Sequence, residues 1–210
     1  SIQKDFIIKR INRYYESDNC LCMYRPFFKQ ILYKSNESIY RNGKWDILDC
    51  EKNLYICLTG LGGNKPFSVF LTNIVSDYQL LQNGQCFPLY WYEKVEHIQR
   101  GFFDTRDSDY VRHDGITDFI LQQAGQIDFK ITKEDIFYYV YGFLHLPAYR
   151  ETFAADLKKM LPRIPLVENP ADFWAFSKAG RDLADLHLNY ETVAPCPDVV
   201  VSGAEHENFH

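Results

Sequence analysis

Residues 132–190 constrain the fold more than any other stretch, because an aromatic-rich run there repeats its apolar side chains at helical spacing between proline breaks. Thr132, with Asp135 three positions later, is a capping pair able to satisfy free amides at a helix start. Ile136, Phe137, Val140, Phe143 and Leu144 follow at spacings of three and four, which sets them on one face. Pro147 lacks an amide donor, so it stops that helix and suits the first turn of the next. Tyr149, Phe153, Leu157 and Leu161 make a second stripe, closed by Pro162 and Pro165. Asn169 before Pro170 opens a third helix, with Phe173, Phe176, Leu183 and His187 turned inward. Three amphipathic helices joined by proline turns have to pack against one another or against a sheet.

The sheet is expected upstream. LYICLTG and FSVFLTN, within residues 53–73, are short β-branched and aromatic runs bounded by Gly, Asn and Asp. QCFPLYWYE follows the turn pair Asn83 and Gly84. Pro88 would remove a ladder hydrogen bond, so that strand is expected at an edge or to end early. CLCMYRPFFKQILYKS reads as a strand or strand pair, preceded by a helix over residues 5–15. The order predicts an α+β fold, with a small mixed or antiparallel sheet in the first half and an amphipathic helical subdomain in the C-terminal half. On this reading residues 1–100 are the sheet-containing part, 101–192 the helical support and 193–210 a polar tail.

At 210 residues the chain can bury a substantial core. No apolar run approaches the roughly 20 residues that span a bilayer, and no secretory signal pattern opens the sequence. The six cysteines are scattered, and Cys20 with Cys22 is not a zinc spacing. Reduced, mostly buried thiols in a cytoplasm are expected. The net charge of −5 is awkward for a nucleic-acid partner, since phosphate contacts supply much of that affinity. Distribution can offset it. Lys4, Lys9, Arg10, Arg13, Arg25, Lys29, Lys34, Arg41, Lys44, Lys52 and Lys65 all lie in the first half, and acidic residues are denser from Asp104 onward. A basic sheet face beside an acidic helical half would reconcile the two; ordinary solvated lysines are the plainer alternative.

GLGGNKP at residues 60–66 is the one candidate phosphate loop. A nucleotide-binding P-loop ends in Gly-Lys-Ser/Thr before a helix, whereas Lys65 precedes Pro66 and a strand-like run. A loop between strands whose Asn64 and Lys65 approach a duplex fits better, and a plain connecting turn is the alternative. Arg25, among aromatics, has the bidentate fork that suits a phosphate or a guanine edge, or it stacks structurally on Tyr24. Arg41, Asn42 and Lys44 flank Gly43 in a loop able to reach a groove, and Gln85 could bond an adenine edge. Asp104, Asp107, Asp109 and Asp114 lack calcium-loop spacing and read as a solvated acidic loop. His97 and His113 fall in expected connectors, His145 and His187 on helices, and His206 and His210 in the tail, with no metal-binding pair. Catalytic residues are expected to be absent, and so is a metal.

Four blocks in order, YRPFFKQILY at 24–33, residues 53–73, QCFPLYWYE at 85–93 and the helical run, resemble the C-terminal target recognition region of Type ISP restriction-modification enzymes. In that family a nuclease, a helicase-like ATPase, a coupler and an N6-adenine methyltransferase precede this region. The resemblance implies a module that reads a short asymmetric site in double-stranded DNA and presents its adenine to the methyltransferase of the same polypeptide. The adenine-gripping Asn/Asp-Pro-Pro-Tyr/Phe motif of the methyltransferase is not met: Asn169, Pro170, Ala171 and Asp172 lack its second proline and aromatic. S-adenosylmethionine, ATP and magnesium therefore belong, by resemblance, to other parts of the parent, with no cofactor in this chain and no membrane partner. The family continues past the final helix, so the chain is expected to be a fragment with an incomplete end. Two rivals stand beside this reading: a docking or coupling module with no intrinsic DNA affinity, and a phosphate-binding enzyme using the 60–65 loop.

Overall fold

The computed structural model describes residues 19–33, 53–94, 110–194 and 196–197. Its fold is α+β. Strands β1 (Asn19–Arg25) and β2 (Phe28–Tyr33) form an antiparallel hairpin, and β5 (Val75–Ser76) joins β1 in parallel. Strands β3 (Tyr55–Leu58), β4 (Val69–Thr72) and β6 (Gln85–Pro88) form an antiparallel sheet in the order β4-β3-β6. β7 (Tyr90–Lys94) pairs with β8 (Tyr110–Asp114). The helices are α1 (Asp118–Gly125), α2 (Lys133–Phe143), α3 (Pro147–Thr152) and α4 (Pro170–Leu188). The helix expected over residues 5–15, the boundary at residues 100 and 101 and most of the tail lie outside the described residues.

Both faces of the β3–β4 pair are covered, which is why these strands read as continuous apolar runs without alternation. Ile56, Leu58, Val69 and Leu71 belong to the core shared with the helices. Tyr55, Cys57 and Phe70 face the other way and pack with Met23 and Leu80. Pro88 is accommodated as the pattern predicts, on edge strand β6. The Leu89 amide donates to the Leu54 carbonyl at 2.8 Å, so ladder bonds fall on alternate pairs and Pro88, opposite Tyr55, sits where no inward amide is needed. Buried Asn53 then carries the pairing around the corner into β7, its side chain donating to the Tyr90 carbonyl (2.6 Å) and accepting from the Tyr90 amide (3.0 Å).

The α2–α4 pair is the centre of the molecule. Thr132 and Asp135 form the capping box at the start of α2. Burial alone would raise the Asp135 pKa, but hydrogen bonds from Thr132 and from Arg181 of α4 outweigh it and hold the carboxyl below its ordinary range. The crossing itself depends on two glycines. A Cβ on Gly142 would meet the Phe176 carbonyl oxygen at 2.3 Å, and one on Gly180 would meet that of Tyr138 at 2.0 Å. With the backbones this close, Tyr139 stacks flat on Phe173 at 4.7 Å and Ser177 donates to the Asp135 carbonyl. Side chains on several sides of α2, Tyr139 and Tyr141 among them, are buried as well as the expected stripe, because sheet and α4 enclose it together.

Three expectations need correction. The second helix ends at Thr152, not near Leu161; residues 153–160 form a series of turns. Long-range bonds divert the chain: the Lys158 carbonyl accepts from the Gly62 amide, and the Tyr149 hydroxyl donates to the Arg163 carbonyl. His113 lies in β8, stacked on Trp91 at 4.2 Å, and Asp114 in the same strand is ion-paired to Lys133 rather than being a solvated loop carboxylate. Asp104, Asp107, Asp109, His97, His206 and His210 lie outside the described residues.

An aromatic cluster, buried at Phe70 and half-exposed at Phe27, joins the β1–β2 hairpin to this core. Phe27, at the hairpin tip with φ of 61°, packs edge-on against Phe70, His187 and Tyr190, and His187 stacks on Phe70. The Tyr141 hydroxyl and His187 Nδ1 share a hydrogen bond. Burial, reinforced by the neighbouring His145, holds the His187 pKa below its usual value, and burial does the same for His145. Tyr141 and His145 also reach the backbone of Leu71 and Val69, capping the otherwise open edge of β4.

Gly180→Ala and Gly142→Ala should each destabilise the fold by about 1–3 kcal/mol in denaturant titration, despite the better helix propensity of alanine. Gly125→Ala, where a Cβ meets nothing within 4 Å, should be neutral or stabilising. Equal effects at all three positions would refute the close crossing. The histidines set a pH dependence. Both folded-state values lie below the unfolded value of 6.5, so the unfolded chain binds more protons as pH falls, and the stability they confer is complete above that value and lost below it. The thermal midpoint should therefore drop between about pH 7.5 and about pH 5.5, and His187→Gln should flatten that dependence.

Candidate nucleic-acid interface

One end of the β4-β3-β6 sheet gathers most of the described sequence candidates. The 59–68 loop between β3 and β4 carries Asn64 and Lys65, and Gln85 opens β6 opposite Leu58, the last residue of β3. The turn at 77–84 packs beside the loop. A clasp holds the two together: the Gly60 amide donates to the Gln82 carbonyl at 3.0 Å, and the Lys65 amide donates to Gln82 Oε1 at 3.0 Å. Gly60 must be glycine, since a Cβ would fall 1.9 Å from the Asn83 carbonyl oxygen, and Gly62 takes φ of +72°.

These bonds decide what the loop can offer. Its amides at positions 60, 62 and 65 are spent on Gln82 and Lys158, so they do not point outward as an anion cradle would require. What remains outward is side chains. Asn64, Lys65 and Gln85 are exposed and make no side-chain hydrogen bond or ion pair among the described residues.

The neighbouring turn adds groups that the sequence reading passed over. Asp77 anchors it by accepting from the Gln79 amide, and Gln82 and Asn83 both take positive φ, 60° and 51°. Gln79 Nε2 donates to Asn83 Oδ1 at 3.0 Å, and the Tyr78 ring is 65% exposed. Asn64, Gln79, Asn83 and Gln85, with Lys65 and Tyr78, are thus exposed on the loop, the turn and the strand start at this end of the sheet. Amide side chains can donate and accept at a single base edge, and an exposed ring offers a stacking surface. The visible signal was the density of amides in the run Tyr78, Gln79, Gln82, Asn83, Gln85.

Arg25 lies on the far side of this turn. Its guanidinium lies 3.9 Å from the centroid of the Tyr24 ring, donates to the Tyr24 carbonyl at 2.6 Å and pairs with Asp77 at 3.2 Å. It fixes the hairpin to the base of the turn and is already engaged. Arg41, Asn42 and Lys44 lie outside the described residues.

Charge is distributed unevenly around the site. Arg25, Lys29, Lys133, Lys178 and Arg181 are each paired with carboxylates. Lys65, Arg150, Lys158 and Lys159, like Arg112, Lys130 and Arg163 elsewhere, have no carboxylate partner among the described residues, and these four belong to the loop or to the segment against it. Arg150 donates to the Phe67 carbonyl at 2.6 Å, and the Lys158 carbonyl accepts from Gly62. The expected basic first half is thus represented by Arg25, Lys29 and Lys65, two of them neutralised, while the helical half supplies the remaining cations at the loop. Glu151 and Asp156 temper that cluster. Among the described residues no group of three or more His, Cys, Asp or Glu could hold a metal ion, and no helix is long and apolar enough to cross a membrane.

Residues 2–210 match the family model of the Type ISP C-terminal specificity domain. Among solved structures, a cryo-EM DrdV–DNA complex is 33% identical with a TM-score of 0.75, covering 88% of this chain and 17% of that one. A nuclease-deletion mutant of the Type ISP restriction-modification enzyme LlaGI, in complex with a DNA substrate mimic, is 34% identical with a TM-score of 0.65, covering 86% and 14%. The ATP-dependent Type ISP restriction-modification enzyme LlaBIII bound to DNA is 29% identical with a TM-score of 0.73, covering 93% and 12%. The chain therefore corresponds to between 12% and 17% of the length of these solved chains. No curated protein matches it.

Proposed function

The chain belongs to the family of Type ISP C-terminal specificity domains, and from that membership we propose that it selects the double-stranded DNA target of a restriction-modification enzyme and presents an adenine there to a neighbouring N6-adenine methyltransferase. The observation that carries the reading is the set of exposed amides, Asn64, Gln79, Asn83 and Gln85, at the same end of the sheet as Lys65, Lys158 and Lys159, which have no carboxylate partner among the described residues. Amides read base edges and lysines hold phosphates, so the two classes of contact a sequence reader needs stand side by side. Gln85 and Asn64 are the base-reading candidates. Lys65 is the phosphate contact, assisted by Lys158 and Lys159. Arg41, Asn42 and Lys44 join them as candidates from the sequence, and Arg25 acts by fixing the turn.

The segment that carries Lys158 and Lys159 also offers a surface suited to attachment to the rest of a longer polypeptide. A groove of about 670 Å³ runs between α3 and residues 160–165, lined by Phe143, Tyr149, Phe153, Leu157 and Leu161. Exposed Phe153, Met160 and Leu161 extend its apolar rim. An apolar surface of this kind fits a protein neighbour better than nucleic acid, and the methyltransferase is the neighbour we assign to it. S-adenosylmethionine, ATP and magnesium would act in those other parts.

Duplex selection from a random pool at low salt, with sequencing of what the protein retains, tests the reading. One short asymmetric motif containing adenine is expected. Lys65→Ala should weaken binding to all sequences alike and reduce the salt slope by about one, whereas Gln85→Ala or Asn64→Ala should cost about 1–3 kcal/mol and relax a single base position. Retention without a motif, or an unchanged motif in all three variants, would refute the assignment of this end of the sheet.

A further inference from the structure

The cysteines, scattered in sequence, are not all scattered in space. The β3–β6 register sets Cys57 directly opposite Cys86. Because the ladder bonds fall on the flanking pairs, this is a non-hydrogen-bonded pair, whose facing Cα atoms stand about 4.5 Å apart. That separation lies within the span a disulfide accepts. The two sulfurs are 2.9 Å apart, and the Ser76 hydroxyl lies 2.9 Å from Cys86 Sγ on its other side. Exposure is divided between them: Cys57 is buried within the core facing the hairpin, and Cys86 is exposed on the edge strand. Hydrogen bonds from Cys57 and from Ser76 favour the Cys86 thiolate over the opposing effect of burial, while the bond to Cys86 and burial push Cys57 up. A thiol of an exposed edge-strand residue, held toward its anion and touching a buried thiol, is the arrangement of an attacking and a resolving cysteine.

We propose that Cys57 and Cys86 are a redox-active pair that closes reversibly into a cross-strand disulfide on encountering a low-molecular-weight disulfide. The Cys86 thiolate attacks one sulfur of the small disulfide, forming a mixed disulfide and expelling one small thiolate. Cys57 then loses its proton and attacks the Cys86 sulfur, forming the Cys57–Cys86 bond and expelling the second. Two protein thiols are oxidised, one small disulfide is reduced to two thiols, and the two protons from the cysteines end on the released thiolates. The bond would staple edge strand β6, with Gln85 at its start, to the strand leading into the glycine loop. None of this depends on the DNA reading.

Peptide mapping under non-reducing conditions tests it, on purified native protein equilibrated with oxidised glutathione. The expected product is a linked pair of peptides containing Cys57 and Cys86, lighter by two hydrogen atoms and reopened by a dithiol reductant. Cys57→Ala, checked for folding by circular dichroism, should instead stop at a glutathionyl group on Cys86. The native protein decides the matter by itself even if that variant misfolds. A stable glutathionyl adduct on Cys86 with Cys57 still reduced, or no modification of either residue, would overturn the proposal.

Discussion

The structure rests on the contact between Gly142 and Gly180, where α2 and α4 cross with no side chain between their backbones. Two consequences follow from that closeness. Rings on either side of the crossing are drawn into direct packing, as when Tyr139 lies flat on Phe173. The polar atoms at the helix start are also forced to share partners, so Asp135 serves at once as its own helix cap and as the acceptor for Arg181. A larger residue at either glycine would part the helices and open this set of contacts together. With α4 fixed, His187 is in place to stack on Phe70, and the hairpin tip Phe27 has a surface to close on.

From this core the architecture works outward to a loop that uses glycine for proximity. A glycine-rich segment followed by lysine invites a phosphate-cradle reading. In this protein the glycines let the loop lie against Gln82 and Asn83, and the amides are consumed in doing so. The effect is a rigid edge from which Asn64, Lys65 and Gln85 project. Rigidity matters to a reader of base edges, because an amide discriminates only if its donor and acceptor arrive at a fixed angle. The glycines are thus structural, and the chemistry lies in the residues they position.

What could be read from the sequence, and what could not, follows from the range of each interaction. The Thr132–Asp135 cap, Pro147 in a first turn and Asn169 as a helix cap are codes written within a few residues, and each appears as expected. The stripe of Tyr149, Phe153, Leu157 and Leu161 had an equally good local pattern, yet the helix ends at Thr152. There the deciding bonds come from Gly62 and from the Arg163 carbonyl, which no local window contains. The candidate site divides the same way. Glycine and turn signals marked Asn64, Lys65 and Gln85, but Gln79, Gln82 and Asn83 gain meaning only once the clasp joins positions 60, 65 and 82. The meeting of Cys57 with Cys86 is a matter of strand register, which a scattered cysteine count does not reveal.

Net charge is the remaining tension, since a chain at −5 is an unlikely partner for a polyanion on its total alone. The total is the wrong quantity. Ion pairing within the fold silences cations where carboxylates are near, as at Arg25, Lys29, Lys133 and Arg181. Among the described residues Lys65, Lys158 and Lys159 have no carboxylate partner, and the Gly62 to Lys158 bond brings their two segments, ninety-odd residues apart, to the same end of the sheet. A modest cationic cluster beside amides is suited to orientation and discrimination more than to bulk affinity. On the reading proposed above, the larger share of phosphate binding then falls to the longer polypeptide, and this module's contribution is to decide which sequence is held.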